Sequence, residues 1–85
     1  MPKTATMDRV DRDALLEFLR PRHQAVLLTR RRSGGPQLSP VTCGLDAEGR
    51  IVVSTYPQLA KVANARRDPD VSLCVLSPAW DDAWV

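Results

Sequence analysis

The chain reads as a mainly β fold, a barrel-like sheet with two helices, on three observations. Four apolar, β-branched-rich runs near residues 24–31, 37–45, 50–55 and 70–77 have strand length and end at Gly, Pro or Asp. Two glycine-bearing turns, Ser33-Gly34-Gly35-Pro36 and Asp46-Ala47-Glu48-Gly49, separate the first three runs. Two other stretches, starting near Arg9 and at Pro57, space their apolar residues at helical intervals instead.

Residues 1–8 are polar and expected to be disordered. A helix is predicted from about Arg9 to Leu19. Val10, Ala14, Leu15, Phe18 and Leu19 share one stripe, Asp8, Asp11 and Asp13 enrich the start, and Pro21 ends it. Gln24 to Arg31 is the first strand, around Ala25-Val26-Leu27-Leu28-Thr29. The second strand runs from about Gln37 to Leu45 with Pro40 inside it. Proline cannot donate to a ladder, so Pro40 marks an edge, a bulge or a ligand-facing position. Arg50 to Thr55 is the third strand, and the two short turns make the three strands an antiparallel meander.

Pro57 suits the first position of the second helix. Leu59, Val62, Ala63 and Arg66 then line one side and Lys61 and Asn64 another, until Asp68-Pro69 stops it. Asp70 to Ser77 is the fourth strand, and Trp80 to Val85 reads as the beginning of a fifth. Four such strands do not close a barrel. The 85 residues are therefore expected to form a single partial domain that ends within a fifth strand or is completed by a partner.

Composition narrows the function classes. Hydrophobic residues make up 44% of the chain, which excludes compositional disorder. The net charge of +2 does not demand a nucleic-acid partner. No apolar run approaches the roughly 20 residues of a membrane span, and no signal core opens the chain, so a cytoplasmic location is expected. Cys43 and Cys74, the only cysteines, lie inside apolar strands and read as core residues rather than as a disulfide framework or metal ligands. His23 is the only histidine, so neither a triad nor a clustered metal site can be assembled around it.

One junction has chemistry. The strand Ile51-Val52-Val53 runs into the hydroxyls of Ser54 and Thr55, then into Pro57 and a helix bearing Lys61. Helix-start N–H groups, hydroxyls and an ammonium together can hold a phosphate.

Three stretches resemble the pyridoxamine-phosphate-oxidase-like split β-barrel family, in particular its small F420- or FMN-dependent oxidoreductases. Ala25-Val26-Leu27-Leu28-Thr29 followed by Gly35-Pro36-Gln37-Leu38-Ser39-Pro40-Val41 is similar to the family's opening hairpin. Ile51-Val52-Val53-Ser54-Thr55 is similar to its next strand. Ala60-Lys61-Val62-Ala63-Asn64-Ala65-Arg66-Arg67-Asp68-Pro69 is similar to its Ala-Lys-x-x-Asn-x-Arg-Arg-Asp-Pro helix. The resemblance implies a split β-barrel of the FMN-binding type, part of which this chain would form. It implies a homodimer with cofactor at the interface, and hydride transfer between coenzyme F420, or alternatively FMN, and a small organic substrate. Ser54, Thr55 and Lys61 would contact the cofactor phosphate with Asn64 in support. Pro36, Gln37, Ser39 and Pro40 would lie beside the ring, and Val53 would offer backbone contacts. No catalytic side chain is implied, because such cofactors carry the hydride chemistry themselves. Leu59 and Ala63 depart from the pattern, since basic residues are common there, and lysine does not replace a bidentate guanidinium.

Each of these residues also has an ordinary reading. Lysines are usually solvated, Ser and Thr often cap helices, and an exposed Asn is unremarkable. The upstream hydroxyls tip Lys61 toward a ligand role. Gln37 and Ser39 alternate on one strand face, as polar residues do on a half-solvated sheet. Arg30-Arg31-Arg32 reads as a charged hairpin end before it reads as a nucleic-acid patch. Trp80 and Trp84 read as core or interface residues. A non-catalytic cofactor-binding or dimerisation module is the alternative to an enzyme.

Overall fold

The computed structural model describes residues 10–85. The expected disorder of residues 1–8 and the helix start at Arg9 lie outside the described residues. The element order is α1 (Arg12–Leu19), β1 (Gln24–Arg30), β2 (Pro36–Leu45), β3 (Ile51–Ser54), α2 (Ala60–Arg67) and β4 (Ser72–Leu76). The strands form one antiparallel sheet in the order β3-β2-β1-β4. This is the mainly β fold expected, an open sheet with two helices consistent with part of a split β-barrel.

Local chemistry accounts for most boundaries. Asp11 caps α1, its carboxylate accepting the Ala14 N–H at 2.8 Å. The β2–β3 hairpin closes through Gly49 at φ 77°, with the Asp46 N–H bonded to the Arg50 carbonyl at 2.9 Å. Asp46 braces that turn, accepting the N–H of Glu48 at 3.0 Å and that of Arg50 at 2.8 Å. The Arg50 backbone N–H, followed by its side chain, holds the Asp46 carboxyl below the usual carboxylate range.

Pro40 resolves as an edge residue within an inner strand. The Cys43 N–H bonds the His23 carbonyl and the Arg31 N–H the Gly35 carbonyl, so odd-numbered residues of β2 bond toward β1. The nitrogen of Pro40 therefore points away from β1. On that side β3 pairs only with Thr42–Leu45, so no ladder bond is lost at Pro40.

The same parity sets the two faces of the sheet. Ala25, Leu27 and Thr29 are buried on the odd-numbered face, with Cys43 and Val75 beside them. Leu19 of α1 joins Ala25, Cys43 and Val75 in the core, with Leu15 and Phe18 packed against it. Cys74 belongs to the opposite face, so the two thiols cannot pair across the sheet. Burial pushes the Cys43 thiol pKa up, as suits a core residue.

Two expectations are corrected. Pro57 is not the first helical residue. It sits in a turn closed by the Leu59 N–H on the Tyr56 carbonyl at 3.2 Å, and α2 begins only at Ala60. Of Trp80–Val85, expected to begin a fifth strand, only the last two residues pair with the sheet. After a turn, the backbone of Val85 exchanges two hydrogen bonds with Val75, leaving one isolated bridge between Leu76 and Trp84. Arg22 secures that return, donating to Ser77 Oγ at 3.0 Å and to the Phe18 carbonyl at 2.7 Å.

Candidate functional site

The end of β3, the turn after it and the start of α2 form one wall of a groove of about 470 Å3, and the unpaired edge of β2 forms the other. Pro40, Ser54, Thr55 and Lys61 line it, together with Val41, Thr42, Tyr56 and Leu59. Four of the nine residues expected at a site thus meet in one place. The β2–β3 register sets Thr42 directly opposite Ser54, on the same sheet face. The groove therefore carries three aliphatic hydroxyls, a phenol and one ammonium. Lys61 makes no ion pair among the described residues.

The helix start adds donors. Leu59 occupies the N-cap and makes no side-chain capping bond, so Ser54 and Thr55 are not the caps of α2. Lys61 is the second residue of α2 and stands in its first turn. With no side chain closing the helix end, the N–H groups of Ala60 and Lys61 remain available to an anion.

A second cleft of about 370 Å3 adjoins the first, between α2 and the odd-numbered sheet face. Leu27, Ile51, Val53, Val62, Ala65 and Val71 make it largely apolar. Thr55 and Lys61 line both cavities. Val53 thus lies beside the polar groove rather than in it.

Asn64 has a different place from the one expected. It is the buried residue of α2, at 7% exposure. Its amide donates to Thr29 Oγ1 and to Gln37 Oε1, both at 3.2 Å, and its carbonyl accepts from Arg67 Nη2 at 2.9 Å. Asn64 therefore ties α2 to β1 and β2. The inward face of the helix carries Asn64 with half-buried Lys61, Val62 and Ala65, while Ala63 and Leu59 are exposed. The stripe predicted from Leu59, Val62 and Ala63 gave way because Thr29 and Gln37 offer polar partners beneath the helix. Gln37 is accordingly engaged with Asn64, Ser39 is buried, and Pro36 is exposed at the strand start. None of these three lines the groove.

The groove also takes in Thr42 and Tyr56, which sequence reasoning did not single out. The signal for Thr42 was present: a turn pairing Asp46 with Arg50 sets Thr42 against Ser54. Tyr56 carried no pattern, and only the turn at Pro57 brings it to the groove, where it is 69% exposed. Among the described residues no cluster of His, Cys, Asp or Glu could hold a metal ion.

The donor set suits a phosphate-bearing organic ligand: hydroxyls, an ammonium and helix N–H groups at one end, apolar walls alongside. The groove volume falls in the range of roughly 300–1,000 Å3 usual for cofactor sites. The family model described as pyridoxamine 5'-phosphate oxidase matches residues 11–85. Neither a curated protein nor a solved structure matches the chain.

Proposed function

Because the chain belongs to the pyridoxamine 5'-phosphate oxidase family, we propose that it is a flavin-type oxidoreductase that holds its cofactor phosphate in the groove between β3 and α2. The observation that carries this reading is the convergence of Thr42, Ser54, Thr55 and Lys61 on one groove beside an uncapped helix start. Lys61 supplies the countercharge, the hydroxyls donate to phosphate oxygens, and the N–H groups of Ala60 and Lys61 add two further donors. Pro40 and Val41 form the adjoining wall on the β2 edge.

The bound cofactor, coenzyme F420 in the first instance and FMN as the alternative, supplies the hydride chemistry, exchanged with a small organic substrate. The preference for F420 rests on the hairpin and helix motifs. The protein's part is to anchor and orient. Asn64 contributes by fixing α2, and so the position of Lys61, rather than by touching the ligand. A second copy of the chain is proposed to complete the site, since the contacts of both helices fall on the odd-numbered face and leave Leu38 and Val52 exposed on the other. No helix among the described residues is long and apolar enough to cross a membrane.

Titration with F420 and with FMN, followed by cofactor fluorescence, tests the assignment. Saturable binding at micromolar levels is expected, weakened about tenfold or more in Lys61→Ala through loss of a charge-assisted contact. If neither cofactor titrates and Lys61→Ala changes nothing, the groove is not a cofactor site. A non-catalytic binding module is the second reading, favoured by Leu59, which lines the groove with an apolar side chain where the family pattern has a basic one. Cofactor binding without oxidation of the reduced cofactor by any acceptor would establish that reading.

A further inference from the structure

Two arginine runs that stand 34 positions apart, measured from Arg32 to Arg66, meet at one end of the sheet. Arg67 Nη2 donates to the Arg30 carbonyl at 2.9 Å, which seats the end of α2 against the end of β1. Arg31 and Arg32 continue from Arg30 into the β1–β2 turn, which is closed by the Arg31 N–H on the Gly35 carbonyl and the Gly34 N–H on the Arg31 carbonyl, both at 2.8 Å. All five arginines are exposed, and none makes an ion pair among the described residues.

Two guanidiniums elsewhere find carboxylates, Arg20 with Glu17 and Arg50 with Asp46 and Glu48, while Arg12 and Arg22 bond backbone carbonyls and a hydroxyl. At this end the only acidic neighbours in sequence are Asp68 and Asp70, and neither makes an ion pair among the described residues; Asp68 Oδ1 accepts the Asp70 N–H at 3.0 Å. The other end of the sheet carries the acidic turns of Asp46, Glu48, Asp81 and Asp82. Exposed guanidiniums closer together than a Debye length, about 8 Å at physiological salt, repel one another, and a bridging anion relieves that repulsion.

We infer that this arginine end is a docking surface for the phosphate backbone of a polynucleotide, bound without sequence preference. Guanidiniums contact phosphate oxygens bidentately, which suits an all-arginine surface. Arg67 keeps donors to spare, since its recorded bonds use Nη2 alone. The arginines offer contacts to the phosphate backbone rather than a platform for base stacking. Arg30, Arg31, Arg32 and Arg67 do not line the groove at Lys61, whereas Arg66 lines the adjoining cleft beside Lys61.

The test is fluorescence anisotropy of a labelled single-stranded oligonucleotide between 50 and 200 mM salt, using the full chain. Engagement of about three phosphates gives a log–log salt slope of about −2. Arg31→Gln/Arg32→Gln should lower affinity about tenfold or more and bring the slope to about −1, with the thermal midpoint and the flavin titration unchanged. Arg20→Gln, at the opposite end, should change affinity less than about twofold. Absence of binding at 50 mM salt overturns the inference. So does equal binding by the double variant, or binding of polyglutamate as tight as that of the oligonucleotide.

Discussion

Truncation of Asn64 to alanine removes the polar tether that fixes α2 on the sheet, and its cost can be worked from three bonds. Thr29 is fully buried, at 0% exposure, and its hydroxyl depends on the Asn64 amide at 3.2 Å. Stranding a buried hydroxyl costs about 1–3 kcal/mol. The bonds to Gln37 and Arg67 are partly exposed, and each adds about 0.5 kcal/mol. Asn64→Ala should therefore destabilise the protein by about 3 kcal/mol, lowering the thermal midpoint by about 12–24 °C for a chain of this size. Thermal and urea unfolding followed by circular dichroism measure this directly. Thr29→Val removes the other partner, so the double variant should cost at least 1 kcal/mol less than the two singles together. Cofactor affinity should fall in Asn64→Ala although Lys61 is intact, because the helix that carries Lys61 is no longer held. A loss below about 1 kcal/mol, or single costs that simply add, would refute the tether.

Asp46 titrates with a folded-state pKa below its ordinary value, so the stability it contributes is present above the unfolded carboxylate range and lost as pH falls through the lower folded value. Urea midpoints between pH 5 and 2 should show a decline that is shallower in Asp46→Asn. Gly49→Ala should cost about 1–2 kcal/mol, because φ 77° suits only glycine without strain and the new Cβ would stand 2.7 Å from Arg12 Nη2, which must also move. Cys43 is buried with its pKa raised, and Cys74 is half-buried. Iodoacetamide at pH 8 should label Cys74 first and Cys43 only on unfolding, as peptide mapping would show.

Much of the architecture was legible because it depends on short-range chemistry. The β1–β2 and β2–β3 hairpins follow from turns of a few residues with glycine where φ is positive, and the registers follow from those turns. Asp11 and Pro21 bracket α1 for equally local reasons. The strand–helix junction announced its hydroxyls and its lysine by spacing alone. The boundary at Pro57 was misplaced because proline serves a turn as well as a helix start, and only the Leu59–Tyr56 bond separates the two.

The sequence by itself determined the mainly β class, the meander, and the strand–helix junction that carries Ser54, Thr55 and Lys61, since each rests on residues within a few positions of one another. Tertiary structure alone decided the partners. Asn64 lies 35 positions from Thr29 and 27 from Gln37, so no local pattern could reveal whether it faced ligand, solvent or sheet. Gathering Thr42 to Ser54 and Lys61, and Arg30 to Arg67, likewise required the sheet to be assembled. Long-range pairing is set by what the other elements leave uncovered and unsatisfied, and that information is spread over the whole fold.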